Sequence, residues 1–332
     1  MILQHHIQLL PYHSFRTTAV ARFFCEPETT EELQQLLRCH PHERKLVIGK
    51  GCNLFFTEDF DGLVIRPAMC SRRVVAETEA DIDLEVGAGE TWDDFVAYCV
   101  ANGYAGIENL SLIPSSVGAV PFQNIGAYGV EVKDVITRVE AVEIATGEIR
   151  TFSNEACGFG YRESLFKRTR GYVITSVTFR LQKSFTYQEK YVDLKRELAS
   201  IPAPTLAQVR EAIISIRRRK LPDYEILPNA GSFFKNPILD GEAKKRLFER
   251  VPDAPVYDTG NDRYKTSAAF LIDRAGYKGK RSGNVGIYER HALIVVNYGT
   301  PRGSDIVDFM HEVQQAVYCR FGIRLEPEVQ IY

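Results

Sequence analysis

The chain has 332 residues, of which 45% are hydrophobic and 25% charged, and its formal net charge is −2. This length predicts about two or three domains, and the near balance of charge argues against nucleic acid or an anionic membrane as a partner. The seven cysteines show no Cys-x-x-Cys pair or zinc spacing, which favours reduced thiols, a cytoplasmic protein and no metal site. The N-terminus lacks a signal-peptide pattern, and no apolar run approaches the ~18 residues of a membrane span.

Residues 1–69 are predicted to form a small α/β unit. A helix is predicted to begin at Thr30, where the acid of a full capping box is missing. A glycine turn, Gly49–Asn53, follows the first strand directly, and Asp61-Gly62 is predicted to be a hairpin turn between the second and third strands. The predicted strands are residues 45–48, 54–56 and 63–65.

Residues 70–221 are predicted to form a second unit, rich in alternating strand patterns. Thr91 is predicted to cap an amphipathic helix that Gly103 ends, and a second amphipathic helix runs from Leu206 to the cationic segment 217–220. Strands are predicted at residues 82–86, 139–144, 149–152 and 173–181, the middle two forming a hairpin.

Residues 222–322 are predicted to form a third unit, which Pro222 opens. It contains a glycine turn at Asn229–Ser232 and a last helix that Gly322 caps. Residues 323–332 are predicted to form an edge strand, because Pro327 lacks a backbone donor, and to join the first unit. The other predicted elements are a helix at 268–272, a strand at 293–296 and the last helix at 304–321.

The segment from Asn109 to Val130 contains no charged residue. Gly118, Gly126 and Gly129 permit backbone angles and close approaches that a Cβ would block. An uncharged glycine loop with many unpaired backbone N–H groups suits a bound phosphate or pyrophosphate. The alternative is a buried structural loop.

Two glycine loops, at Gly49–Asn53 and Ser115–Gly129, predict one large ligand whose pyrophosphate lies between two units. Neither loop matches Gly-x-Gly-x-x-Gly, and neither ends in Gly-Lys-Ser/Thr. These departures argue against a Rossmann NAD site and a P-loop NTPase, and they leave open another way of holding a dinucleotide.

Four further groups could carry chemistry, each with a simpler alternative. Arg162 could bind a substrate carboxylate, or it could pair with Glu163 at the surface. Ser232 follows a glycine in a tight turn, and its simpler interpretation is a helix or turn cap. Glu328 lies on the predicted terminal strand, and its simpler interpretation is a solvated edge carboxylate. Residues 217–220 could bind phosphates or only complement the helix dipole.

Taken in order, these motifs resemble one known family over nearly the whole chain. The chain is similar to the bacterial UDP-N-acetylenolpyruvoylglucosamine reductases, flavoenzymes of cell-wall precursor synthesis. Its most specific matches are Gln123–Gly129 and Gly231–Pro237, and the stretch near Tyr191 resembles the longer family form with a tyrosine loop over the substrate. The other matching segments are Gly49–Asn53, Gly106–Leu110, Ile113–Gly129, Phe159–Ser164, Lys220–Asp223, Leu271–Asp273 and Leu325–Val329.

The resemblance implies an α+β fold of three domains. Residues 1–69, joined by 323–332, and residues 70–221 would form a vanillyl-alcohol-oxidase-like FAD-binding unit, and 222–322 would form an α/β substrate domain. FAD would be bound and NADPH would be the co-substrate. The implied FAD-binding residues are Gly49, Lys50, Gly51, Cys52, Asn53, Ser115, Ser116, Gly118, Asn124, Gly126, Ala127, Tyr128 and Arg217.

The resemblance also implies the reaction: hydride from reduced flavin reaches C3 of the enolpyruvyl group of UDP-N-acetylglucosamine enolpyruvate, giving UDP-N-acetylmuramate. Ser232 would protonate C2, while Arg162 and Glu328 would stabilise the enolate. Hydride addition to a vinyl ether needs such a sink for negative charge, and a placed proton donor contributes about 10²–10⁴-fold. The implied substrate-binding residues are Tyr161, Tyr191, Lys220, Asn236, Lys278 and His291.

Two positions depart from the family pattern: Cys52 replaces the usual serine, and His291 stands where an amide is frequent. The expected partners are the two small molecules, with no nucleic acid or membrane, and a monomer is expected. Two other functions stay open at this stage. One is an FAD-dependent oxidase or dehydrogenase of the same architecture acting on another substrate, and the other is a nucleotide-sugar-binding protein without chemistry.

Overall fold

A computed structural model describes residues 2–187 and 191–332. The chain divides into two compact units. The first contains Met1–Ile7, Ala21–Lys50 and Asp61–Arg219, and the second contains Gln8–Val20, Gly51–Phe60 and Lys220–Tyr332. The three-domain division at residues 69/70 and 221/222 stays a prediction.

Helices and strands alternate irregularly along the described chain, as expected for an α+β protein. The helices are α1 (Thr30–Cys39), α2 (Trp92–Ala101), α3 (Leu165–Thr169), α4 (Val192–Glu197), α5 (Leu206–Lys220), α6 (Gly241–Arg250), α7 (Ala268–Arg274) and α8 (Gly303–Phe321). The strands are β1 (Gln4–Gln8), β2 (Val20–Cys25), β3 (Lys45–Val47), β4 (Leu54–Phe55), β5 (Phe60–Ile65), β6 (Arg72–Glu77), β7 (Asp81–Gly87), β8 (Gly126–Ala127), β9 (Val130–Glu131), β10 (Ile136–Glu143), β11 (Ile149–Ser153), β12 (Tyr172–Gln182), β13 (Asn229–Ser232), β14 (Ile238–Leu239), β15 (Val256–Asp258), β16 (Tyr264–Thr266), β17 (Arg281–Ser282), β18 (Val285–Ile287), β19 (Ile294–Asn297) and β20 (Gln330–Ile331).

The first unit is built around two sheets. One has the order β1-β2-β5-β3, with β3 parallel to β5, and the other has the order β11-β10-β12-β7-β6 with antiparallel pairs. Trp92, Phe95 and Phe179 are fully buried between α2 and the five-stranded sheet. The predicted hairpin β10–β11, strand β12 and helices α2 and α5 are confirmed.

The second unit contains a four-stranded sheet in the order β13-β19-β18-β17 and a three-stranded sheet in the order β14-β16-β15. Its core joins Phe233 and Phe234 to the apolar faces of α7 and α8. Gly322 ends α8 in the left-handed conformation with φ 71°, as predicted. Helix α6 was not predicted; the carboxylate of Asp240 caps it by accepting the Ala243 N–H over 2.7 Å.

Two expectations for the first segment are wrong. Asp61-Gly62 is not a hairpin turn, because both residues lie inside β5. Strand β4 pairs in parallel with the terminal β20, while β5 pairs in parallel with β3, so no hairpin joins β4 to β5. The cap of α1 also lies one residue earlier than expected: Thr29, not Thr30, accepts the Glu32 N–H, and the Glu32 carboxylate accepts the Glu28 N–H over 2.8 Å, one residue before the cap.

The described part of the chain holds no helix long and apolar enough to cross a membrane. Within the same ranges, no group of three or more His, Cys, Asp and Glu side chains could hold a metal ion. The cysteines of the chain are present as thiols.

Candidate active site

The two glycine loops meet inside the first unit at Gly49. A Cβ on Gly49 would lie 2.5 Å from Ser116 Oγ and 2.9 Å from Ala119 Cβ, so no side chain fits there. Gly118 is restricted in the same way, because its Cβ would lie 2.6 Å from the Cβ of Ala88. The close approach of the loops is what a single ligand spanning both of them requires.

The backbone of the uncharged loop is more fully paired than expected. Gly118 N–H donates to the Ala88 carbonyl over 2.9 Å, Val117 N–H to Glu90 over 2.9 Å, and Ala119 N–H to Ser116 over 3.0 Å. These bonds arise because a buried loop must satisfy its own polar backbone. The expectation of many unpaired N–H groups is therefore wrong at residues 117–119, where the loop has the character of a buried structural segment.

Farther along this loop, Ala127 and Gly126 form β8, which pairs with β9. Asn124 is fully buried with φ 45°. Its Nδ2 donates to Glu131 Oε2 and to the Gly160 carbonyl, each over 3.0 Å, so both of its side-chain N–H groups are used inside the protein. Asn124 thus fastens the loop to the turn at Gly160, and its assignment to FAD binding stays a prediction.

Arg217, at the end of α5, is a buried cation suited to an anionic ligand. Its Nε is buried and has no hydrogen-bond partner among residues 2–187 and 191–332. Burial lowers the pKa of the Arg217 guanidinium, while the Tyr128 hydroxyl and the Asp93 carboxylate act in the opposite direction. A buried donor without an acceptor costs about 1–3 kcal/mol, so a phosphate oxygen is a fitting partner.

Asp93, near the start of α2, is a positioning residue that the sequence reasoning missed. Arg210 donates to its two carboxylate oxygens over 2.8 and 3.0 Å, and the N–H of Leu112, where φ is 58°, donates over 2.6 Å. Burial raises the pKa of Asp93, but the Arg210 and Leu112 hydrogen bonds outweigh it and leave the pKa below its usual value. Asp93 therefore connects α5 to the uncharged loop that contains Leu112. In the sequence, only the position of Asp93 in the first turn of α2 indicated such a role.

Arg162 sits at the tip of a turn that closes between Gly160 and Glu163. The two backbones exchange hydrogen bonds of 2.9 and 3.3 Å, and Arg162 has φ 55°, a conformation unfavourable for a residue with a side chain. Its Nη2 donates to the Gly126 carbonyl over 2.6 Å, and its guanidinium lies 5.4 Å from the Tyr161 ring centroid. The turn thus presents Arg162 and Tyr161 beside the uncharged loop.

The tyrosine loop is described on both sides of residues 188–190, which lie outside the described residues. Tyr191, 41% exposed, meets the Tyr128 ring edge to face with centroids 5.1 Å apart. Tyr128 also packs against the apolar cluster that joins α4 to α5. Two residues assigned separately to substrate and to FAD are therefore neighbours in the first unit.

The chain passes from the first unit to the second after Lys50. Gly51 has φ 65°, and its carbonyl accepts the Ser14 N–H over 3.1 Å. Cys52 is partly buried, and the pKa of the nearby Tyr224 is raised by burial first and further by Cys52. Asn53 Nδ2 donates to the Glu328 carbonyl over 3.3 Å, so the end of this glycine loop is bound to the terminal segment.

Ser232 is exposed at the end of β13. The preceding Gly231 has φ 71°, and its N–H donates to Asn229 Oδ1 over 2.9 Å. This turn shifts the register, so that β13 pairs with β19 at Asn229 and again at Ser232. The irregularity therefore leaves Ser232 at the surface while the following Phe233 is fully buried.

Three residues predicted to bind substrate, Lys220, Lys278 and His291, lie in the second unit. Burial lowers the pKa of His291, and the charges of Lys220 and Lys278 lower it further. The Leu293 N–H donates to His291 Nδ1 over 3.2 Å, so the neutral imidazole carries its proton on Nε2. Asn236 is engaged differently, since its Oδ1 accepts the Ala268 N–H over 3.0 Å at the start of α7.

Comparison with known proteins gives a consistent result. Residues 222–332 match the UDP-N-acetylenolpyruvoylglucosamine reductase C-terminal domain, and residues 21–153 match an FAD binding domain. The chain is 41% identical to the reductase of that name from Flavobacterium johnsoniae, with both chains covered in full. It is 46% identical to that of Azoarcus sp., over 86% of this chain and 84% of the relative.

The chain belongs to the UDP-N-acetylenolpyruvoylglucosamine reductase family. The reductase structure from Thermus caldophilus, at 24% identity and full coverage of both chains, superposes with a TM-score of 0.72 and supports the same fold. The predicted α+β architecture with an FAD-binding unit is confirmed. The chain is an FAD-dependent oxidoreductase of peptidoglycan precursor synthesis, as the sequence motifs implied.

Proposed function

We propose that this reductase uses NADPH, through bound FAD, to reduce the enolpyruvyl group of UDP-N-acetylglucosamine enolpyruvate to UDP-N-acetylmuramate. The observation that carries the substrate assignment is that Lys220 and Lys278 act electrostatically on the buried His291 in the unit that also holds Ser232. His291 lies in the turn leading into β19, whose Ile294 pairs with Ser232. Two cations and an imidazole suit a diphosphate, so its binding would bring the substrate to the strand with the proton donor.

The FAD pyrophosphate is assigned to Gly49, Ser116, Gly118 and Arg217 in the first unit. The close packing of the two loops at Gly49 and Gly118 supports this assignment, as does the buried Nε of Arg217, which has no hydrogen-bond partner among the described residues. When bound, FAD would accept a hydride from NADPH and deliver it to the substrate. The other members of the predicted FAD set would complete the site, Asn124 by fixing the loop and Tyr128 through its contact with Arg217.

The catalytic roles follow from the charge changes in the reaction. Addition of hydride at C3 places a negative charge on C2, which delocalises into the substrate carboxylate. Arg162 is assigned to stabilise this enolate through its positive charge, and Glu328 is assigned to do so as a protonated carboxylic acid that donates a hydrogen bond. The Ser232 hydroxyl gives its proton to C2, which completes the saturated product. A hydroxyl is a weak acid, but the carbanion is a strong enough base to take its proton.

His291 is assigned to donate to the diphosphate as a neutral group. Its Nδ1 already accepts the Leu293 N–H, and protonation of Nδ1 would break that bond. The Nε2–H therefore resembles the amide N–H that the family frequently places here, which accounts for the departure. Tyr161, Tyr191 and Asn236 are assigned to the remaining substrate contacts, and the enzyme is assigned as a monomer.

Stopped-flow spectroscopy without oxygen tests the proposal on the FAD-loaded enzyme. NADPH should bleach the flavin absorbance, and UDP-N-acetylglucosamine enolpyruvate should then restore it as UDP-N-acetylmuramate forms. UDP-N-acetylglucosamine, which lacks the enolpyruvyl group, is the matched control and should restore nothing. Failure of the enolpyruvyl substrate to reoxidise the flavin would reject the substrate assignment. Reduction of the flavin by NADH but not by NADPH would reject NADPH as the co-substrate.

A further inference from the structure

A short turn carries Lys278 between two anchored residues. Tyr277 and Lys280 close the turn, with the Lys280 N–H donating to the Tyr277 carbonyl over 2.9 Å. Gly279 occupies its third position with φ 74°, the conformation that a type II turn requires there. Lys278 is therefore the second residue of this turn, and its backbone position depends on how the ends of the turn are held.

Both ends of the turn are held by a single carboxylate oxygen from α8. Glu312 Oε1 accepts the Tyr277 hydroxyl over 2.9 Å and Lys280 Nζ over 2.8 Å. Lys280 Nζ also lies 4.0 Å from the Tyr277 ring centroid, so the three side chains form one compact group. We propose that Glu312 is a positioning residue that holds Lys278 in place to bind the diphosphate of the nucleotide substrate.

The charge of Glu312 is matched to this role. The hydrogen bond from Lys280 lowers the pKa of Glu312, and the Tyr277 hydroxyl adds to this against the opposing effect of burial. The carboxylate is therefore ionised at neutral pH and accepts both donors strongly. Because Tyr277 is only 8% exposed, its ring also anchors the turn in the core of the second unit.

Lys278 needs such positioning because it has a competing partner. Its Nζ lies 3.7 Å from Asp273 Oδ2, at the end of α7. A phosphate must therefore compete with Asp273 for Lys278. Because the Glu312 contacts fix the backbone of the turn, Lys278 needs to move only its own side chain to exchange Asp273 for a phosphate. This inference rests on the proposed function, because it takes the diphosphate as the ligand of Lys278, Lys220 and His291.

A double-mutant cycle on the FAD-loaded enzyme tests the inference, with UDP as the probe and calorimetry as the measurement. Glu312→Ala should weaken UDP binding about threefold to tenfold, as expected for the loss of one or two hydrogen bonds. Glu312→Gln should stay within about twofold, because an amide oxygen can accept from both donors. In steady state, Glu312→Ala should raise KM for the UDP substrate and leave kcat within about twofold.

The cycle is completed with Lys278→Ala. If Glu312 acts through Lys278, the double variant should bind UDP no more weakly than Lys278→Ala alone. Glu242→Ala, which removes a carboxylate paired with Arg246 on α6, is the matched control and should bind UDP normally. Tyr277→Phe, which keeps the ring and removes one donor, should show a smaller loss and remains usable if Glu312→Ala does not fold.

Three results would overturn the inference. They are additive losses in the double variant, normal UDP binding by Glu312→Ala, and a Glu312→Gln variant as weak as Glu312→Ala. A normal affinity in Lys278→Ala would instead reject the proposed diphosphate site itself, and the inference with it. The two failures are thus separated by whether Lys278→Ala alone binds UDP weakly.

Discussion

The backbone N–H of Glu328 donates to the carbonyl of Phe233 over 2.8 Å. Phe233 directly follows Ser232, so the strand with the proposed proton donor is joined to the terminal segment with the proposed enolate partner. Asn53 Nδ2 holds the same segment through the Glu328 carbonyl over 3.3 Å. Two catalytic assignments made from distant motifs therefore fall on adjoining segments of one unit, and the predictions below test the individual roles.

Ser232→Ala should separate the two halves of the reaction. Reduction of the bound flavin by NADPH should stay near the wild-type rate, because it does not need the Ser232 proton. Reoxidation by the enolpyruvyl substrate should slow about 10²–10⁴-fold. Stopped-flow absorbance measures both steps, and Ser282→Ala, on β17 of the same unit, is the control. Reoxidation near the wild-type rate would mean that another group donates the proton.

Gly49→Ala should abolish flavin binding while its control does not. The new Cβ would lie 2.5 Å from Ser116 Oγ and 2.9 Å from Ala119 Cβ, so the two loops must separate. Gly171→Ala is the matched control in the same unit, because its Cβ would meet nothing closer than 3.9 Å. The ratio of flavin absorbance to protein absorbance after purification is the measurement. A fully yellow Gly49→Ala protein would show that loop contact is not needed for FAD.

His291→Gln should preserve substrate binding better than His291→Ala. The glutamine amide can supply a neutral N–H donor in place of Nε2–H, so UDP affinity should fall less than about threefold, against about tenfold for alanine. Burial and the charges of Lys220 and Lys278 keep the pKa of His291 below 6.5. Wild-type UDP affinity should therefore not change with His291 ionisation between about pH 7 and 8. Equal losses in both variants would reject the donor role.

His13 should make the folded protein sensitive to acid. Burial lowers the pKa of His13 to about 4, against the opposing effect of the Thr17 carbonyl, and the residue is 3% exposed. Because the folded pKa lies below the unfolded value of 6.5, the unfolded chain binds the proton more tightly. The contribution of neutral, buried His13 to the free energy of unfolding is complete above pH 6.5. It is lost as the pH falls toward 4, by up to about 3 kcal/mol.

Urea unfolding at pH 7.5 and pH 4.5 measures this effect. His13→Phe should lose less stability between the two pH values than the wild type does, because it has no imidazole to protonate. His311→Gln, which removes an exposed histidine of α8, should keep the full wild-type pH dependence. If His13→Phe and the wild type lost equal stability on acidification, the acid sensitivity would have to come from other groups.

The sequence determined the elements whose pattern is local. The alternation of Val173 to Leu181 gave β12, the apolar spacing in 206–216 gave α5, and Gly322 marked the end of α8. These predictions succeed because a side chain's periodicity and a glycine's conformational freedom are properties of the segment itself. The uncharged loop and the Gly231–Pro237 motif likewise identified the family from the sequence, and the family implied FAD as the cofactor.

Tertiary structure decided what depends on distant partners. Asp61-Gly62 has the composition of a hairpin turn, yet it is extended, because β4 pairs with the far end of the chain and leaves β5 to pair with β3. Three features leave no local pattern in the sequence: the contact of Gly49 with Ser116, the burial of Arg217 Nε, and the hydrogen bonds from Glu312 to the residues on either side of Lys278. Close packing, loss of water and hydrogen bonding are settled only when remote segments meet, which is why sequence motifs supplied the site residues and the fold supplied their partners.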